Sequence, residues 1–272
     1  MTTATAEMRG RDLVVVDKFG RPMPISAEYR DRILTEQDIN RIEMLSNMFP
    51  GAALTVGIAG AGKTVLLGWF SYWYEHYFDI HAVTDFDIRS PRYGGDQKLY
   101  ENHKRIDDEE FTEEQEKMSE ALNKAKNKDK ARKKYEDEAE RIWEEHGFDL
   151  HRKVIDWDDV HKKFDRRRWM RATTIQYSHV LKEHRHYYSL VLMATTDLED
   201  LDLRATKNLT HEISALYNPR DRMALYKIWN RDPFNPHWER PLYLRVPDWW
   251  DLINSFQMTV TPRDLLGKKR ER

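Results

Sequence analysis

Gly57-Ile58-Ala59-Gly60-Ala61-Gly62-Lys63-Thr64 decides the reading of this chain. The stretch fits G-x-x-x-x-G-K-[ST], a loop whose glycines let backbone N–H groups turn inward around a polyphosphate. Lys63 is placed to reach the β- and γ-phosphates, and the Thr64 hydroxyl to hold Mg2+. Both flanks suit the motif. Ala53-Leu54-Thr55-Val56 reads as a short buried strand. Val65 opens the apolar run Val65–Phe70, a helix whose N-terminus faces the anion. The expected ligands are therefore ATP and Mg2+, with residues 57–65 as the binding loop.

Bulk composition narrows the class. The chain has 272 residues, 40% hydrophobic and 12% aromatic, enough for one large α/β domain or a domain with an insertion. Lys plus Arg total 45 against 47 acidic residues, so no global field draws in nucleic acid. Contact with nucleic acid must come from local patches. The absence of cysteine removes disulfides, thiolate zinc sites and cysteine nucleophiles. No apolar run is long enough to span a bilayer, and Met1–Met8 lacks a signal core. A cytoplasmic or virion-associated protein is expected.

Upstream of the loop, Asp12–Val16 reads as a strand and Lys18–Pro22 as a turn. Thr35 followed by Asp38 resembles a capping box opening an amphipathic helix. Residues 1–50 are expected to form an appendage, and residues 51–272 the nucleotide domain. After the loop helix, Ile80–Thr84 reads as the next strand and Asp85–Gly95 as a loop. From about 98 to 147 acidic and basic residues alternate, which predicts one or two solvated helices inserted into the domain.

The second informative stretch is Lys153-Val154-Ile155-Asp156-Trp157-Asp158-Asp159-Val160-His161. A hydrolase of this kind needs one carboxylate at a strand end for the Mg2+ shell and a neighbour to polarise water. Asp158 suits the metal side and Asp159 the water side. Asp156 is the rival for the metal position, because Val154-Ile155 immediately precede it. Phe164–His186 reads as a basic helix carrying Arg166, Arg167, Arg168 and Arg171. These arginines either neutralise the acidic insertion or face a phosphate backbone.

Ser189–Thr196 is an apolar run with a polar end, the pattern of a strand covered on both faces. Thr195 or Thr196 is placed there to sense the γ-phosphate. Arg204, past that strand, is either a finger reaching a neighbouring subunit's nucleotide or a surface salt bridge to adjacent acids. From His211 the chain turns β-rich, with a hairpin around Asn218–Asp221. Asp248 starts a short helix, and Lys268–Arg272 is a basic tail.

Taken in order, Gly57–Thr64, Val154–His161 and Glu183–Arg204 resemble the FtsK–HerA class of P-loop ATPases. The likeness is nearest to viral genome-packaging ATPases and the Zot-like ATPases of filamentous phages. Thr196 stands where that pattern has Gln, and Asp159 where it often has Glu. The resemblance implies a RecA/HerA-like P-loop NTPase fold: a central, mostly parallel sheet flanked by helices, with a charged helical insertion and a β-rich C-terminal segment. It also implies ATP hydrolysis at the interfaces of a pentameric or hexameric ring. Double-stranded DNA would pass through that ring, and a capsid or portal protein would be a further partner. A Zot-like role in virion assembly or export shares the same residues. A small-molecule kinase is the further alternative, with the arginine cluster as its lid. No N-K-x-D motif marks a guanine-reading site.

Overall fold

The computed structural model describes residues 6–9, 12–30, 32–86, 88, 104–105, 124, 130, 133, 151–162, 164, 172–199, 201–231, 239–246 and 248–249. The expected arginine cluster at 166–171, most of the C-terminal helix and the basic tail lie outside these residues.

The chain starts with a three-stranded antiparallel sheet, β1 (Ala6–Arg9), β2 (Asp12–Val16) and β3 (Pro22–Met23). A short helix α1 (Ala27–Arg30) leads to α2 (Glu36–Met48). The predicted capping box is present: Thr35 accepts from the Asp38 amide, and the Asp38 carboxylate accepts from the Thr35 amide. That satisfies two N–H groups which a helix start otherwise leaves unpaired. Val15, Met23, Ile25 and Tyr29 from these first elements join the same buried cluster as the nucleotide-loop helix.

The main sheet has eight strands. They are β4 (Gly51–Val56), β5 (Ala82–Thr84), β6 (Lys104–Arg105), β7 (Val154–Trp157), β8 (Leu190–Thr195), β9 (His211–Asn218), β10 (Met223–Asn230) and β11 (Glu239–Arg245). Their spatial order is β11-β10-β9-β4-β8-β7-β5-β6. From β9 to β6 every pairing is parallel, while β10 and β11 add antiparallel rungs at one edge. Within the segment expected to be helical, Lys104 and Arg105 instead pair with Val83 and Thr84 as an edge strand. Lys124, Lys130 and Lys133 are helical, and the rest of 98–147 lies outside the described residues.

Three helices close the layers: α3 (Lys63–Phe78) on one face, α4 (Ala172–Glu183) and α5 (Leu203–Lys207) on the other. Strand parity divides the core between them, because successive side chains point to opposite faces. Ala53, Val154, Leu190, Leu192 and Ala194 share a cluster with α3. Ala52, Leu54, Ile155, Trp157, Val191 and Met193 share one with α4 and α5. Strands covered on both sides read as continuous apolar runs, which is why β4 and β8 were legible. The aromatic run of α3 is core packing: Trp69, Phe70 and Tyr74 are buried, and Trp249 packs edge-on against Trp69 and Tyr72.

The topology fixes where a ligand can sit. Strand β4 is central, and its connection through α3 passes over β8 and β7 to reach β5. A crevice opens at the carboxyl ends of parallel strands where the winding direction reverses. The loop at 57–62 lies there, and so do the ends of β5, β7 and β8.

Candidate functional site

The loop leaves β4 at Val56 and enters α3 at Lys63. Gly60 and Gly62 take left-handed backbone conformations, with φ of 79° and 83°. A Cβ on Gly60 would meet nothing within 4 Å, whereas one on Gly62 would lie 2.6 Å from the Tyr226 hydroxyl oxygen. Tyr226 itself is fully buried on β10 and donates that hydroxyl to the Gly62 carbonyl, at 2.8 Å. So the antiparallel edge of the sheet clamps the last turn of the loop. Gly62→Ala is expected to cost about 1–2 kcal/mol from the left-handed conformation alone, plus the clash. In chemical denaturation, Gly62→Ala in a Tyr226→Phe background should recover the clash component only, while Gly60→Ala should show the backbone cost without it.

Ile58, Ala59 and Gly60 form the exposed crest of the loop, while Ala61 is buried beneath it. Lys63 is 7% exposed, and its Nζ donates to the carbonyls of Gly57 and Ile58 at 2.9 and 3.0 Å. Burial lowers its pKa from the ordinary lysine value, and the nearby Asp158 and Asp159 carboxylates partly offset that. The amine therefore waits inside the loop, facing two acids.

Thr64 is the next residue, at the first turn of α3. Its hydroxyl donates to Asp158 Oδ2 at 2.6 Å. This contact joins residues 94 positions apart and brings together the two ends of the predicted site. The chain has the fold of a P-loop NTPase.

Position along β7, not strand parity, explains why Asp158 and not Asp156 meets the loop. Both point to the α3 face, on which Val154 also lies. Asp156 sits deeper, fully buried, and accepts a short hydrogen bond from Ser71, two helical turns along α3 from Thr64. Burial pushes the Asp156 carboxyl well above the usual carboxylate range, and the neighbouring Asp85 and Asp158 add to this. Burial also raises Asp158, against the lowering effect of the Thr64 hydroxyl. Asp158 Oδ1 accepts from the Asp159 amide at 3.0 Å, and Asp159 takes a left-handed φ of 48° in the turn that follows β7.

At the end of β8 the Thr195 carbonyl accepts from the Gly57 amide at 3.3 Å. Thr195 is buried, and its hydroxyl donates to the Asp197 carbonyl, so it is committed to the turn. Thr196 is exposed beside the loop. Arg204 forms a salt bridge with the acid two residues before it. Its Nε and a terminal nitrogen donate to both carboxylate oxygens of Asp202, the N-cap of α5, at 2.9 and 2.7 Å. Of the two readings open for Arg204, the salt bridge is the arrangement seen in the single chain.

Asp85 escaped the sequence reading, which ended a strand at Thr84 and called the rest a loop. Its carboxylate accepts the Asp158 amide with both oxygens, at 3.0 and 3.2 Å. The available signal was an apolar strand ending in a lone acid at the carboxyl edge of the sheet.

The site's donors fit a Mg-triphosphate. The loop crest is open above Gly60, one lysine amine is buried beneath it, and a sixteen-residue helix begins there. A hydroxyl and a carboxylate lie side by side at that helix start, the oxygen-only set that Mg2+ takes alongside phosphates and waters.

No protein-family model and no curated protein matches the chain. Among solved structures it is similar to the genome packaging NTPase B204 from Sulfolobus turreted icosahedral virus 2, in complex with ATP-gammaS. That match has 14% identity and a TM-score of 0.41, covering 70% of this chain and 96% of that one. It is also similar to the N-terminal domain of zonular occludens toxin from Neisseria meningitidis. There the identity is 13% and the TM-score 0.39, over 75% of this chain and 99% of that one. The flagellar accessory protein FlaH from Methanocaldococcus jannaschii has 13% identity and a TM-score of 0.38, over 72% and 84%. At such identity and overlap these likenesses say nothing of activity, which must come from this chain's own atoms. Among the described residues no helix is long and apolar enough to cross a membrane.

Proposed function

We propose that this P-loop NTPase hydrolyses ATP with Mg2+ and spends the energy on moving double-stranded DNA, in the manner of a viral packaging motor. The observation that carries the hydrolase reading is the 2.6 Å contact between Thr64 and Asp158. In this reading the loop amides and Lys63 bind the phosphates, and Lys63 exchanges the carbonyls of Gly57 and Ile58 for phosphate oxygens. Thr64 and Asp158 would hold Mg2+, whose chemistry is to screen the charge that develops on the phosphate oxygens. Asp159 takes a proton from the attacking water as the bond to γ-phosphorus forms and ADP leaves. Thr196, just past the end of β8, would sense the γ-phosphate.

The motor half of the proposal rests on the order of the three sequence blocks and on their resemblance to the FtsK–HerA class. A ring would give Arg204 its second role. On a neighbouring subunit, the guanidinium that now forks onto Asp202 would trade one anion for another, the γ-phosphate. Such a finger raises turnover by about 10³–10⁵ in other NTPases.

The deciding measurement is ATP turnover with and without duplex DNA at low salt, alongside mass by light scattering. Duplex DNA is expected to stimulate turnover, and the mass to be that of a pentamer or hexamer. Steady turnover that ignores DNA would remove the translocation reading and favour an assembly ATPase acting on protein.

A further inference from the structure

We propose that Asp85 is a positioning residue that sets where β7 stops and so aims Asp158 at Thr64. The inference rests on the reading of this site as a Mg-ATP hydrolase.

The parallel ladder between β5 and β7 runs through Ala82, Val83 and Thr84 against Val154, Ile155 and Asp156. The Asp85 amide adds one more contact, donating to the Asp156 carbonyl at 3.3 Å. The next rung would pair the Asp158 amide with a backbone carbonyl of an extended β5. Instead the Asp85 side chain takes that amide, sharing it between its two oxygens at 3.0 and 3.2 Å. A carboxylate accepting a backbone N–H is the stronger, charge-assisted kind of hydrogen bond. Beyond this point the chain departs from the sheet, and Asp159 turns into a left-handed conformation.

The consequence falls on direction rather than on contact with ligand. The Asp158 backbone is gripped from the β5 side by Asp85. Its side chain is gripped from the α3 side by Thr64, and its Oδ1 by the Asp159 amide. Two hydrogen bonds on the carboxylate and a shared one on the backbone amide therefore fix Asp158. A metal ligand's outer partners orient it, and their loss typically weakens metal affinity or activity about 10–100-fold. A side chain does this because β5 has ended at Thr84, one residue before Asp85. Asparagine keeps an oxygen acceptor at the same reach. Alanine keeps none.

The test compares wild type, Asp85→Asn and Asp85→Ala by amide hydrogen exchange at Asp158 and by the Mg2+ concentration giving half-maximal ATP turnover. Asp85→Ala is expected to speed exchange of the Asp158 amide about tenfold and to raise the half-saturating Mg2+ concentration about tenfold. Asp85→Asn should restore both most of the way. If the alanine variant does not fold, Asp85→Ser replaces it, since the serine hydroxyl stops one bond short of the amide. Unchanged exchange at Asp158 in the alanine or serine variant overturns the proposal. So does an asparagine variant as impaired in Mg2+ response as alanine, because charge and not amide capture would then be what matters. A wild-type protein without ATP turnover would reject the hydrolase reading, and the exchange measurement would still decide the role of Asp85.

Discussion

Lys63→Ala is expected to abolish ATP turnover while leaving the fold intact. In the structure the lysine amine makes two hydrogen bonds, both to loop carbonyls, at 2.9 and 3.0 Å. Those two bonds hold a buried ammonium to loop carbonyls, so their loss costs the ligand-free protein about 1–3 kcal/mol, too little to unfold a stable domain. The demand on Lys63 changes once a triphosphate is bound. Charge then builds on the β- and γ-oxygens at a site where, among the described residues, this is the only buried amine. Removing a single preorganised donor to developing charge typically costs about 10²–10³ in rate. Lys63 also faces Asp158 and Asp159, so its removal leaves two carboxylates with less to balance them as a polyanion approaches. Affinity and rate should fall together. Phosphate release and binding of a fluorescent ATP analogue measure them separately, with circular dichroism to verify folding. A Lys63→Ala variant that keeps half of the wild-type rate would show that the loop does not serve hydrolysis.

What the sequence disclosed and what it hid follow from the range of the interactions. The loop, its strand and its helix are consecutive, so glycine content and apolar runs were enough to place all three. The same holds for the Thr35–Asp38 cap, whose two partners are one helical turn apart. β8 was legible because burial on both faces demands an unbroken apolar run. Long-range polar contacts left no such trace. Tyr226 reaches Gly62 across 164 positions, and nothing in a tyrosine on a β-rich segment announces a partner in a glycine loop. Asp85 looked like any acid that opens a loop, since its partner is a backbone amide on a strand 73 positions away. Lys104 and Arg105 were hidden by their own charge: an edge strand of two residues has no room to show a period of two.

The choice between Asp156 and Asp158 was also open from sequence, and the structure turns it into a second large effect. Asp158→Asn should lower ATP turnover about 10²-fold or more, whereas Asp156→Asn should leave it within about threefold. The two carboxyls lie on one face of the sheet, two residues apart, and burial raises the pKa of both, yet only Asp158 has a cation beside it among the causes that act on it. Asp158 touches the Thr64 hydroxyl and lies near the Lys63 amine, and both favour the charged form. Its work needs that charge, because a neutral amide holds Mg2+ poorly. Among the described residues Asp156 has no cation beside it. It has Ser71 on one oxygen, no partner on the other, and two acids nearby. There burial favours the protonated form, and asparagine copies a neutral carboxyl in size and polarity. A folded-state pKa raised above the unfolded carboxylate value of 3.8 means that the native state holds its proton more tightly. The stability this confers is complete below the unfolded value and is lost as pH rises through the folded one. Asp156→Asn has no proton to lose, so its stability should fall less than that of wild type on going from mildly acidic to alkaline pH, as urea titrations would show. If Asp156→Asn were inactive and Asp158→Asn active, Asp156 would be the metal-side carboxylate and the Thr64 contact would lose its meaning.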